Sequence, residues 1–162
     1  MKSNITIQRF LPILCSLMLA FAAHVQADVV DIKVALLIEK KPMPPALSNL
    51  DPVLTDEGVQ GAKLGIKDNN TTGRFTGHSY TLAIEEVPVG NDVREVFNRL
   101  VSKGYRYVIT SVETDTLISL STLATEKGVL LFNVASADGK LRTTECGPNT
   151  FHILPSYEMK AD

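Results

Sequence analysis

The sequence predicts an α/β fold, an open doubly wound parallel sheet whose four strands take the spatial order 2-1-3-4. Three observations predict it. The hydrophobic period switches repeatedly between strand and helix values along residues 31–134. The first apolar run is nearly continuous, as in a strand buried on both faces. Successive strands are separated by segments long enough for helical crossovers, which makes the strands parallel and stacks helices on both faces.

The elements follow in order. Asp31 to Ile38 holds Ile32, Val34, Ala35, Leu36, Leu37 and Ile38 and reads as the first strand. A loop containing Pro42, Pro44 and Pro45 leads to Thr55, placed to cap a helix with Asp56 and Glu57 at its positive dipole end. Val59, Ala62 and Ile66 then recur at helical spacing, and Asn69-Asn70-Thr71-Thr72-Gly73 is expected to stop the helix as a turn. Tyr80, Leu82 and Ile84 alternate with Thr81, Ala83 and Glu85 in a second strand that ends near Pro88. Asn91 is expected to cap the next helix, whose Val93, Val96, Phe97, Leu100 and Val101 form the clearest amphipathic stripe in the chain. Gly104 closes it. Tyr105 to Thr110 is the third strand, Thr114 to Lys127 a helix with Leu117, Leu120 and Ala124 on one side, Gly128 its stop, and Val129 to Val134 the fourth strand.

The start of the chain is read differently. Lys2 and Arg9 precede an uncharged apolar run from Phe10 to Ala23 and then Val25-Gln26-Ala27, the order found in a secretory leader. The run is too short for a bilayer span, which needs roughly twenty residues. Cleavage is expected after Ala27, giving a periplasmic product from residue 28 with no membrane insertion of its own. Cys15 follows Leu14, where a lipid-modified leader needs a small residue, so it is assigned to the discarded segment. The whole chain carries 16 basic and 18 acidic side chains, and losing Lys2 and Arg9 makes it more acidic, which excludes nucleic acid as a partner. With Cys15 gone, Cys146 has no partner and is expected to be a buried small hydrophobe, the alternative being half of a bridge to another segment.

In such sheets ligands bind beyond the carboxyl ends of the strands. Three loops qualify, at residues 39–54, 111–116 and 135–142. The last two are rich in short hydroxyl and acidic side chains, including Ser111, Glu113, Thr114, Asp115 and Thr116, then Ser136 and Asp138. The same residue types also serve as ordinary helix caps. No nucleophile elbow, phosphate loop, dinucleotide fingerprint or His/Cys metal spacing occurs, so no catalytic residue, metal or cofactor is predicted and the chain is read as non-enzymatic. His78 and His152 have no evident partner and read as surface or satisfied core histidines. Glu85 and Glu86 point to opposite faces of a strand and cannot cooperate.

The run Thr55 to Asn70, followed by Gly73, Gly77 and His78, resembles the first helix and turn of type 1 periplasmic solute-binding proteins, the branched-chain amino acid class of ABC transporter receptors. Asn133 to Asp138, Leu141, Cys146 to Asn149 and Phe151 to Ser156 are similar to that family's loop after the fourth strand and its approach to the next. Pro45 to Asp51, with the helix that follows, is similar to the subfamily associated with PQQ-dependent alcohol dehydrogenase systems. The resemblance implies one lobe of a two-lobed receptor that closes on a small-molecule ligand and delivers it to the membrane permease of an ABC transporter. Residues 28–162 would be an incomplete first lobe, ending in a helix that opens at Tyr157. It also implies ligand contacts at Ser111, Glu113, Thr114, Ser136 and Ala137, the last standing where the family has threonine. Glu113 and Asp115 would repel a ligand carboxylate, which argues against an amino-acid ligand. The alternative is a non-transport sensor or accessory protein for a quinoprotein dehydrogenase or a membrane kinase.

Overall fold

The computed structural model describes residues 28–42, 56 and 58–161. The leader, Thr55 and the Pro45 to Asp51 motif lie outside these residues. The chain runs β1 (Val30–Glu39), α1 (Val59–Thr76), β2 (His78–Val87), α2 (Val93–Ser102), β3 (Tyr107–Ser111), α3 (Thr114–Lys127), β4 (Leu130–Asn133), a 3-10 turn (Gly139–Arg142), β5 (Thr150–His152) and α4 (Tyr157–Ala161). All ladders are parallel and the sheet order is β2-β1-β3-β4-β5, the expected order extended by one strand.

The alternation of side chains along β1 divides the interior. Ala35 and Leu37 face α2 and α3, joining Phe97, Leu100, Val108, Leu117, Leu120, Ala124 and Leu131 in the main core. Leu36 and Ile38 face the other way and meet Val59, Ala62, Leu82 and Ile84 under α1. The second face is only partly covered by described residues. Ile32, Val34, Tyr80, Tyr107, Ile109 and Phe132 line an open apolar trough of about 610 Å³ there. Phe132 and Phe151 stack across β4 and β5 on that side, their ring centroids 5.6 Å apart.

Three expectations are corrected. Helix α1 does not stop at Asn69; it continues to Thr76 and closes on Gly77, whose N–H donates to the Gly73 carbonyl. The polar side chains that suggested a turn are used instead to hold the helix. Asn69 and Thr71 donate back to the carbonyls of Gly65 and Lys67, at 2.7 and 3.1 Å. Asn70 forms a two-way pair with the backbone of Tyr80, donating to its carbonyl at 2.8 Å and accepting from its N–H at 2.7 Å, so α1 is stapled to β2. The cap of α2 is Asp92, one residue beyond Asn91; its carboxylate accepts from the Arg94 N–H at 2.9 Å and also binds the Arg94 side chain. Cys146 is exposed in the loop before β5 instead of buried. Strand limits shift by a residue or two, since Arg106 turns back to the Val101 carbonyl at the end of α2 and β3 begins only at Tyr107. Glu85 and Glu86 do point apart, toward Arg99 and Lys40 respectively.

Candidate functional site

The carboxyl tips of β1, β3 and β4 bring Glu39 and Lys41, the start of α3 and the turn after β4 to one rim. Glu39, the last residue of β1, reaches across to α3: its carboxylate accepts from the Glu113 N–H at 2.8 Å and from the Thr116 hydroxyl at 3.1 Å. Glu113 is the residue before α3, and its own side chain makes no capping bond to the helix. It faces Lys41 instead, at 2.5 Å. A depression of about 420 Å³ beside this pair is lined by Glu39, Lys41, Asn91 and Glu113, and an adjacent one of about 290 Å³ by Glu39, Asn91, Asp115 and Thr116. Lys140, brought in by the turn after β4, lies 3.2 Å from Asp115 and 3.8 Å from Asp138. The bond to Asp115 raises its ammonium above the usual lysine range.

Next to this rim, the loop after β4 is built around Asn133, which is fully buried. Its side-chain oxygen accepts from the N–H groups of Ala135 and Ser136, and its amide donates to the Ser136 carbonyl at 2.6 Å. The Ser136 hydroxyl donates to the Val112 carbonyl at 2.8 Å, which ties this loop to the one after β3. Ala137 is buried and its carbonyl accepts from the Tyr157 N–H at the start of α4.

Of the five residues singled out from the sequence, Glu113 lines the first depression. Ser111 and Thr114 are half-buried and Ser136 and Ala137 buried, and none of the four lines either depression. The two loops are brought together, with the Ser136 hydroxyl committed to the backbone. Glu39, Asn91, Asn133 and Lys140 were not singled out. Asn133 carries a local signal, an asparagine at the end of an apolar run with two N–H groups in reach. Glu39 carries none.

Of the two readings of His152, surface or satisfied, the satisfied one holds, with partners from other segments of the chain. It is half-buried, with Nδ1 3.0 Å from the Asn133 amide nitrogen and Nε2 3.2 Å from the Leu141 carbonyl. The Asn133 amide also donates to the Ser136 carbonyl, so Nδ1 accepts and Nε2 carries the proton, the neutral form. Burial, then the charge of Arg142, hold the imidazole below its ordinary value, against the Leu141 bond. A lowered histidine pKa means that the unfolded chain takes up the proton first as pH falls. The contribution is therefore complete above about pH 6.5 and is lost as pH drops through the lower folded value. Melting curves from pH 7.5 to 5 should show this fall in the natural chain and a flatter profile for His152→Gln. Parallel profiles would refute it.

No family model and no curated protein matches the sequence. Among solved structures, an ABC transporter substrate-binding protein from Desulfitobacterium hafniense aligns with a TM-score of 0.56 at 19% identity, covering 78% of this chain and 34% of that one. An ABC transporter substrate-binding protein from the same organism in complex with Leu gives 0.57 at 18% identity, with the same coverages. The chain thus spans about a third of the length of these neighbours. The likeness is one of fold: the described sheet and helices carry the α/β architecture of ABC transporter substrate-binding proteins over part of their length. Among the described residues, no helix is long and apolar enough to cross a membrane.

Proposed function

We propose that this chain forms part of the first lobe of a solute receptor, the binding component of an ABC-type transporter. The observation that carries this reading is where the two depressions lie. They open at the carboxyl tips of β1 and β3, the point at which the strand order reverses, β2 lying on one side of β1 and β3 on the other. Open parallel sheets receive ligands at such a point.

In this reading residues 1–27 export the chain to the periplasm and are removed. The rim then forms one wall of an interlobe cleft, with Ser111, Glu113, Thr114, Ser136 and Ala137 at or behind the ligand, and the loaded receptor docks on a membrane permease. The proposed tie to PQQ-dependent alcohol oxidation rests on the resemblance of residues 45–51 and the helix that follows. The chemistry offered is recognition, through carboxylates, an asparagine amide and lysines, with Glu39 on a strand end and the others in the adjoining loops, helix start and turn.

A thermal-shift screen of alcohols, their acid products and amino acids tests the reading. A ligand present at 100 times its dissociation constant adds about 2.7 kcal/mol of stability. An upward shift with one class, abolished by Glu113→Ala, is the expected result. No shift with any of them would favour a sensor or accessory role.

A further inference from the structure

We infer that Glu39 acts as a built-in anion that fills the carboxylate seat of this rim, so that the solute presents a neutral hydroxyl or an amine there and no carboxylate. The inference rests on the receptor reading. It makes Glu39 a specificity-determining residue by occupying the donors that an incoming acid would need.

Both oxygens of Glu39 are used. Oε2 accepts from the Glu113 N–H at 2.8 Å and Oε1 from the Thr116 hydroxyl at 3.1 Å, so one N–H and one hydroxyl in the first turn of α3 are already satisfied by a carboxylate. The partner comes from 74 residues earlier in the chain. Glu113 precedes the helix and makes no side-chain cap, and its own N–H is taken by Glu39 from the end of β1.

The surroundings keep a second acid out. A ligand carboxylate at this position would stand beside Glu39 and close to Glu113 and Asp115, with like charges at short range. The nearby lysines give little relief, because Lys41 faces Glu113 at 2.5 Å and Lys140 faces Asp115 at 3.2 Å. Arg94, on the wall of the second depression, is paired with Asp92 at 2.9 Å. An amine would meet the carboxylates of Glu39, Glu113 and Asp115, and a hydroxyl compound would meet Asn91 on the wall of both depressions.

Sodium acetate, the smallest carboxylate probe, tests this on the whole chain by following the backbone amide resonances of Glu113 and Thr116 against a sodium chloride control. In the natural chain acetate should move them no more than chloride does. In Glu39→Ala the emptied seat should give a saturable shift, with acetate bound at least about tenfold more tightly than by the natural chain, the loss of one charge-assisted pair of bonds being worth a factor of this order. Glu39→Gln, which keeps the shape and removes the charge, should also bind acetate more tightly than the natural chain, and it decides the matter if the alanine variant does not fold. The inference is overturned if acetate moves these resonances in the natural chain as it does in the variants, or if a folded variant responds only as to chloride. The acetate titration does not depend on the receptor reading. A tightened acetate response with no solute found in the thermal-shift screen would sink the reading alone. An amino acid whose carboxylate binds the natural chain through the Glu113 N–H and the Thr116 hydroxyl would sink the inference alone.

Discussion

Replacing Phe97 by alanine should lower the unfolding free energy by about 3–5 kcal/mol, a large part of what a domain of this size has. Phe97 is fully buried, at the middle of the stripe Val93, Phe97 and Leu100 with which α2 enters the main core. That stripe spaces its side chains at i, i+4 and i+7, so they stand on one face and cannot turn to water without unwinding the helix. Removing the ring forfeits its transfer free energy and leaves a cavity between two layers that the sheet holds apart. A urea titration would show a lower midpoint with an unchanged slope. Phe75 provides the control, being 89% exposed at the end of α1. Phe75→Ala should stay within about 0.5 kcal/mol of the natural chain, and equal losses at the two positions would refute the assignment of the core.

The second large effect changes sign within a single helix. A side-chain carbon added at Gly73 would lie 2.3 Å from the carbonyl oxygen of His78, a backbone atom that cannot swing aside. Gly73→Ala should therefore cost about 1–3 kcal/mol or more, as α1 is pushed off β2. At Gly65, eight positions earlier on α1, the same carbon meets nothing within 4 Å. Gly65→Ala should accordingly stabilise the chain by roughly 0.5–1 kcal/mol through the smaller loss of backbone entropy. Thermal melts of the two variants distinguish a continuous helix pressed on β2 from a turn at residues 69–73. In a turn, Gly73→Ala would be nearly silent.

That pair of variants also marks where the sequence could and could not be read. The apolar periods of β1, α2 and α3 are long and belong to buried faces, so they reported their elements directly, and the crossovers between them reported a parallel sheet. The stretch Asn69 to Gly73 misled because its residue types favour turns in isolation. What keeps it helical is the bond pair from Asn70 to Tyr80 and the close approach of Gly73 to His78, and neither is local. The capping of α2 by Asp92 instead of Asn91 is a choice between adjacent residues of similar capping strength, decided by the bridge to Arg94. Cys146 was read from its residue type alone, yet it sits in a loop whose neighbours Thr143, Thr144 and Glu145 are exposed. At the rim, Glu113 was legible because hydroxyls and acids cluster ahead of an apolar helix. Glu39 was not, since an acid at the end of a strand resembles any solvent-facing charge until the partner brought beside it by the sheet is known.

Placing β1 between β2 and β3 has a consequence for how the chain acquires its structure. Its ladder to β2 joins Val30 with His78, its ladder to β3 joins Val34 with Tyr107, and the link from Glu39 to Thr116 spans 77 residues. The most continuously apolar strand is thus made early and must wait for both flanks, the second of which is absent until the ribosome has passed Ser111. Searches of that length favour slow, concerted condensation over quick local assembly. During the wait the bare β1 segment is a target for chaperones and for self-association.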